Sequence, residues 1–301
     1  MHTMLHVSTA YGEYAVKRLN PNIMQRPQAL SNMIQSEKIA HCLQDKIPLV
    51  STIEFNGKSV LDFEGDWYMI FPWCDGEAIY APEIHICHCE MIGETLGRIH
   101  ASDIRLDGIA PKAARCRIYP WQTWTADALR IAPEIGEILN SYLIRLISWN
   151  VYAHDSECEV NRRQVISHRD LDPKNVLWHD NRPIVIDWES AGVIHPAQEL
   201  IEVIRYWTAD ISGGYHEDMV RSLLRAYHAR MDISTVLWDK ILDFGYANML
   251  GWLAYNLRRV LGQEDASDSS RCEGAAQVVR TLRELEQYDL QREHLKIWVL
   301  A

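Results

Sequence analysis

Residues 165–189 read VISHRDLDPKNVLWHDNRPIVIDWE, and no other stretch restricts the possible folds of this chain as much. Three short runs rich in β-branched and aromatic residues, VISH, NVLWH and IVIDW, are separated by turn-forming residues, with DNRP between the last two. The pattern predicts three strands, the last two forming a hairpin. Five acidic residues, two Asn and one Lys stand among these runs. A carboxylate at the end of a buried strand is costly unless a cation compensates it, so the fold must gather these acids around a positive partner. Asp170 and Asn175 bracket the first connection and Asp187 ends the third run; a hairpin can bring the three together.

The donor types suit a hard cation. Mg²⁺ prefers oxygen ligands and takes only one or two protein groups, completing its shell with water and phosphate oxygens. Asn175 and Asp187 are the expected ligands. Asp170 is left to orient a hydroxyl and accept its proton, the task that phosphoryl transfer sets for the protein. The order His168, Arg169, Asp170, four residues, Asn175, then an acid at the end of the next hairpin strand matches the H-R-D-x-x-x-x-N plus second aspartate set of the kinase-like fold. His168 reads as a packing and hydrogen-bonding residue of the loop, outside the catalytic set.

The rest of the chain bounds what can carry such a site. With 301 residues, one or two lobes are expected. No apolar run approaches the roughly 18–20 residues of a membrane span. The first twenty residues show no secretory signal pattern, and seven cysteines form no disulfide-like framework, which together favour a cytoplasmic location. A formal net charge of -11 argues against nucleic acid and mildly favours a cationic ligand.

Along the first 75 residues, LHVST and YAVKRL around the turn AYGE read as a hairpin with Lys17 in mid-strand. ALSNMIQSEKIAHCLQDK follows as a helix with Leu30, Met33, Ile34 and His41 at helical spacing and Glu37 on the same face. SVLDFE and WYMIFPW are further strands. From residue 77 onward EMIGETLGRIHASD, APEIGEILNSYLIRLISWNVY, HEDMVRSLLRAYHARM and YANMLGWLAYNLRRVL carry helical periodicity, whereas GQEDASDSSRCEG reads as a polar loop. Residues 1–75 are therefore expected to form an N-terminal nucleotide-binding lobe and 76–301 a catalytic and substrate-binding lobe.

ISHRDLDPKNVLW and IVIDWESAG resemble the catalytic loop and metal-binding strand of the aminoglycoside phosphotransferase and choline kinase family, and LGRIHAS is similar to that family's helix after the interlobe connection. The resemblance extends over most of the chain and fades in its last hundred residues. It implies an α+β, two-lobed protein kinase-like fold with a small antiparallel-sheet N-lobe and a larger, mainly helical C-lobe. It further implies ATP and Mg²⁺ as cofactors, Asp170 as the catalytic aspartate, and Asn175 and Asp187 as metal ligands. Lys17 would hold the α- and β-phosphates and Glu37 would pair with it. Ala15 would lie against the adenine, and backbone groups of Pro72, Trp73 and Cys74 would meet its edge.

The chain departs from the family pattern in two respects. Only sixteen residues precede Lys17, little more than one strand and a turn, so the first strand and glycine-rich loop that cover the phosphates are not found in the sequence. Lys174 replaces the small residue that often precedes the Asn, and Arg169 replaces Gly or Asn. Three other motifs are set aside. DFG at Asp243–Gly245 lies in a helical pattern far from the hairpin, GKS at Gly57–Ser59 reads as a turn, and HICHCE reads as a helix near the hinge instead of a zinc site.

The acceptor is expected to be small. A protein kinase carries a long activation segment closed by A-P-E after its metal aspartate; here ESAGVIHPAQELIEVIRYW enters a helical pattern within about ten residues of Asp187. Asp210, Glu217, Asp218, Trp207, Trp252 and Tyr255 offer acidic and aromatic groups for a cationic hydroxylated substrate. An aminoglycoside-like, other antibiotic, choline-like or sugar acceptor fits. The alternative is a catalytically silent nucleotide- or ligand-binding protein of the same fold, suggested by the missing loop.

Overall fold

The computed structural model describes residues 2–109, 113–210, 213–264 and 267–300. Its first part is a four-stranded antiparallel sheet of β1 (Thr3–Thr9), β2 (Gly12–Arg18), β3 (Leu61–Phe63) and β4 (Asp66–Pro72), in the order β1-β2-β4-β3. The expected hairpin is present, with Met4 opposite Lys17 and His6 opposite Ala15. Side chains alternate along a strand, so Ala15 and Lys17 share one face, and β4 places Phe71 and Met69 beside them. Among the described residues no glycine-rich turn covers this sheet: Ala10 and Tyr11 turn the β1–β2 hairpin.

Between β2 and β3 come a short α1 (Pro21–Met24) and α2 (Ala29–Leu43). Met33 packs with Leu19, Val60 and Met69 under the sheet. Two to three turns later Ile39, Ala40 and Leu43 join the main core of the molecule. One helix therefore belongs to both apolar clusters, because its apolar positions recur along its whole length.

The larger part is mainly helical: α3 (Ile86–His100), α4 (Trp121–Ile131), α5 (Pro133–Asp155), α6 (Glu157–Val160), α7 (Pro196–Thr208), α8 (Glu217–His228), α9 (Trp238–Phe244), α10 (Tyr246–Val260) and α11 (Asp268–Leu300). Two small sheets lie among them: β6 (Val176–His179) pairs with β7 (Arg182–Val185) as the expected hairpin, and β5 (Val165–Ser167) pairs with β8 (Gly192–Ile194). Helix α3 lies directly on α8, and glycines make the approach possible: a Cβ at Gly93 would stand 2.2 Å from the carbonyl oxygen of Leu223.

Two expectations need correction. The polar stretch 262–274 is a loop only at its start; residues 265 and 266 lie outside the described residues, and α11 begins at Asp268. Contact with α10 decides over composition here. Ser267 Oγ accepts from the Ser270 amide at 3.3 Å, Arg259 binds Glu273 at 2.5 Å, and Gly274 lies close against the Asn256 carbonyl. The strand ended by Asp187 stops two residues earlier, at Val185. The set-aside motifs fall as read: Asp243 is in α9 and paired with Arg292, Gly57 is in a left-handed turn, and HICHCE opens α3.

Candidate active site

The connection from β5 to β6 is built by local chemistry. Asp172 caps a single 3-10 turn, Pro173–Asn175, by accepting from the Lys174 amide at 3.0 Å, with Pro at its first position. That turn buries Asn175 and points its Nδ2 back at Asp170, where it donates to the main-chain carbonyl at 2.8 Å and to Oδ2 at 2.9 Å. Both amide hydrogens are thus used. Among the described residues, Asn175 Oδ1 and Asp170 Oδ1 meet no partner.

Two left-handed residues flank these groups: Arg169 at φ 67° and Asp187 at φ 59°. Non-glycine residues there carry strain of about 1–3 kcal/mol, so the surroundings must hold them. For Arg169 the hold is its amide donating to Glu199 Oε1 at 2.6 Å. Glu199 is fully buried on α7 and bonded to His100 Nε2 at 2.9 Å, while His100 Nδ1 meets the Tyr227 hydroxyl at 2.8 Å. Burial alone would raise the Glu199 pKa, but the bonds from His100 and the Arg169 amide outweigh it and hold the carboxyl below the ordinary range.

For Asp187 the hold comes from its predecessor. The Ile186 amide donates to the Asn175 carbonyl at 2.9 Å and its carbonyl meets His168 Nε2 at 3.0 Å. His168 Nδ1 accepts from the Asp170 amide at 3.2 Å, which makes Nε2 the protonated nitrogen. Complete burial lowers the His168 pKa, keeping the ring neutral. This histidine ties the loop to the strand end and takes no proton from substrate. The Trp207 indole, donating to the Leu171 carbonyl at 2.8 Å, pins the other side.

Asp170, Asn175 and Asp187 therefore converge, as the spacing predicts. Lys17 joins them from β2: its Nζ lies 2.9 Å from Asp187 Oδ1 and 2.7 Å from Glu189 Oε2. Burial works against the charged amine, yet Asp187 and Glu189 outweigh it and the Lys17 pKa lies above its ordinary value. The expected pairing of Lys17 with Glu37 is not formed. Glu37 is buried on α2 and accepts the Thr52 amide at 2.8 Å; its pKa is raised by burial, which favours the neutral acid. Glu189 was overlooked as a partner although it stands two residues after Asp187 in the sequence.

Of the expected adenine-edge residues, Pro72 ends β4 and Trp73 and Cys74 follow it. The Trp73 amide is taken by the Glu13 carbonyl at 3.1 Å, so among the described residues the Cys74 amide is the donor left open there. The Trp73 ring stacks on His6 with centroids 3.8 Å apart. Ala15 is half-buried on the same face as Lys17.

Asn175 Oδ1 and Asp187 Oδ2 form an oxygen-only donor pair on opposite sides of one hairpin, which fits a hard cation that draws its other ligands from phosphate and water. Among the described residues no cluster of three or more His, Cys, Asp or Glu side chains suits a metal.

Sequence reasoning also missed Glu202 and Tyr206 on α7. Glu202 Oε1 accepts from Asn248 of α10 at 2.7 Å; burial, then the nearby Glu199, pushes its pKa up to about 7. Burial and the charges of Glu202, Asp170 and Asp172 raise the Tyr206 hydroxyl, with Arg205 opposing. One and two turns along α10 from Asn248, Trp252 and Tyr255 stack at 5.6 Å, both partly exposed. Of the other acceptor candidates, Trp207 is fully buried on the Leu171 carbonyl, and Glu217 and Asp218 open α8.

No curated protein sequence matches the chain. Among solved structures, it is similar to a spectinomycin phosphotransferase in complex with ADP and spectinomycin, at TM-score 0.72 and 11% identity over 98% of this chain and 90% of that one. It is also similar to an aminoglycoside phosphotransferase from Alicyclobacillus acidocaldarius, at TM-score 0.57 and 16% identity over 98% and 93%. An ethanolamine kinase of Plasmodium vivax aligns at TM-score 0.57 and 14% identity over 93% and 79%. These likenesses show the two-lobed kinase-like fold. The family model of the phosphotransferase enzymes matches residues 2–233, well over half of the chain, and this protein therefore belongs to the phosphotransferase enzyme family.

Proposed function

We propose that this phosphotransferase moves the γ-phosphoryl group of ATP to a hydroxyl of a small, cationic molecule. The observation that carries the reading is the state of Asp170: one carboxylate oxygen is clamped by Asn175 and the other is open, with Asn175 Oδ1 free and the buried Lys17 ammonium held on Asp187. The clamp fixes the carboxylate so that Oδ1 meets an incoming hydroxyl, orients it and takes its proton as the oxygen attacks phosphorus. Asn175 and Asp187 would hold Mg²⁺, and what a bound ion supplies there is charge neutralisation on the phosphate oxygens. Lys17, tied to Asp187 and Glu189, would meet the phosphates from the sheet side; Ala15 and the Pro72–Cys74 segment would meet the adenine. In this reading residues 1–75 serve the nucleotide and 76–301 the acceptor.

The acceptor preference rests on α7 and α10. A carboxyl with a pKa of about 7 is poised to bind an ammonium group, which would draw it fully into the charged form, and the exposed Trp252 ring, stacked on a Tyr255 that already meets Arg259, offers a face to a cation. The spectinomycin phosphotransferase and ethanolamine kinase with this fold act on molecules of that kind by name, which supports the reading.

The test is ADP release from MgATP with spectinomycin, other aminoglycosides, choline and ethanolamine, with Asp170→Asn and Asp187→Asn as controls. Release stimulated by one compound and reduced about 10²- to 10⁴-fold in each variant is expected. Wild-type turnover by Asp187→Asn would sink the assignment. The second reading, a silent nucleotide- or ligand-binding relative, is favoured by a sheet that has no glycine-rich turn among the described residues; it predicts MgATP binding without release across the panel.

A further inference from the structure

The ammonium group of Lys174 lies 3.3 Å from Asp170 Oδ2 and 4.0 Å from Asp172 Oδ2, and the charge of Asp187 also acts on it. Its main chain is fixed, because its amide donates to Asp172 Oδ1 and the next residue, Asn175, is buried. Its side chain is 54% exposed. An exposed cation on a fixed main chain thus stands at the Asp170 carboxylate, whereas the Lys17 side chain is held by Asp187 and Glu189 and is only 10% exposed. Exposed ion pairs of this kind add only about 0–1 kcal/mol to folding, so stability is a weak reason for the contact.

We propose that Lys174 is a catalytic residue whose ammonium ion passes from Asp170 to the transferred phosphoryl group during each turnover. The inference rests on the reading of Asp170 as the proton acceptor. Lys174 and Asn175 share Oδ2, which leaves Oδ1 to the acceptor hydroxyl. As the hydroxyl oxygen bonds to the γ-phosphorus, the bond from that phosphorus to the bridging oxygen breaks and its electron pair leaves with ADP. The hydroxyl proton moves to Oδ1, and Asp170 becomes a neutral acid.

The partner of Lys174 has then lost its charge while a phosphoryl group with anionic oxygens has arrived on the oxygen beside it. The ammonium follows the charge. A lysine suits this exchange better than a group of fixed geometry, since it is a point charge with three donors on a flexible stem. When the proton leaves Asp170 to water and the product departs, the resting pair re-forms. The loop thereby supplies a cationic contact to the transferred group that does not depend on the sheet.

The experiment uses the full chain as wild type, Lys174→Met, Lys174→Arg and Asp170→Asn. It measures ADP release from MgATP with water and with spectinomycin, choline and ethanolamine as acceptors, MgADP affinity by calorimetry, and Tm. Lys174→Met is expected to lower kcat about 30- to 300-fold for every acceptor used, with KM for ATP and MgADP affinity within about threefold and Tm unchanged. Lys174→Arg should recover at least about tenfold of the loss. A Lys174→Met kcat within about threefold of wild type, or a loss matched by an equal loss of MgADP affinity, overturns the inference. If that happens while Asp170→Asn is inactive, the reading of Asp170 stands alone; no turnover by the wild type overturns both.

Discussion

Glu37 and Glu189 differ in their relation to the Lys17 ammonium, and depth of burial sorts their roles. Glu37, 2% exposed, accepts a backbone amide and leans toward the neutral acid; Glu189, at the cleft, takes the ion pair. Glu37→Gln should therefore change stability by less than about 1 kcal/mol, because the amide oxygen can still accept from Thr52, whereas Glu37→Ala leaves that donor unpaired and should cost about 1–3 kcal/mol. Urea unfolding of both variants checks this. The difference explains what the sequence could and could not reveal. Asp170, Asn175 and Asp187 are legible because one hairpin fixes their separation. The partner of Lys17 is not, since it depends on how deeply α2 is set and on the Thr52 amide, which no local pattern records.

At the scale of elements, the legible pieces are those whose pattern is internal. The β6–β7 hairpin, α3, α5, α8 and α10 lie where periodicity and turn residues place them, within a few residues. Helix α11 begins inside a stretch that composition marks as loop, because its first turns are held by Arg259 and by the close approach at Gly274. The α7–α10 contact that joins Glu202 to Asn248 has no sequence signature at all, being a product of packing. The α3–α8 contact offers a sharp test: Gly93→Ala would drive a methyl into the Leu223 carbonyl and force the helices apart. A loss of about 2–4 kcal/mol in denaturant unfolding is expected. Unchanged stability would show that α3 can shift freely on α8.

At the scale of the whole molecule, Glu202 links stability to pH. Its pKa is raised from 4.5 to about 7, so its stabilising contribution is complete below pH 4.5 and is lost as pH rises through 7. Glu202→Gln abolishes that loss. The stability of the variant relative to wild type should grow by about 1–3 kcal/mol between pH 5 and pH 8, measured by urea unfolding at both. An unchanged difference would mean the carboxyl is charged throughout. Helix α2 sets a further property of the molecule. With Met33 in the small cluster and Ile39, Ala40 and Leu43 in the large one, the helix is common to both lobes. The chain is consequently less modular than its two-lobed outline suggests. A chimaera made by exchanging residues 1–75 would transplant four buried side chains of the larger core, Ile47 besides those three, along with the sheet, and the recipient would fold well only if its own core could accommodate them.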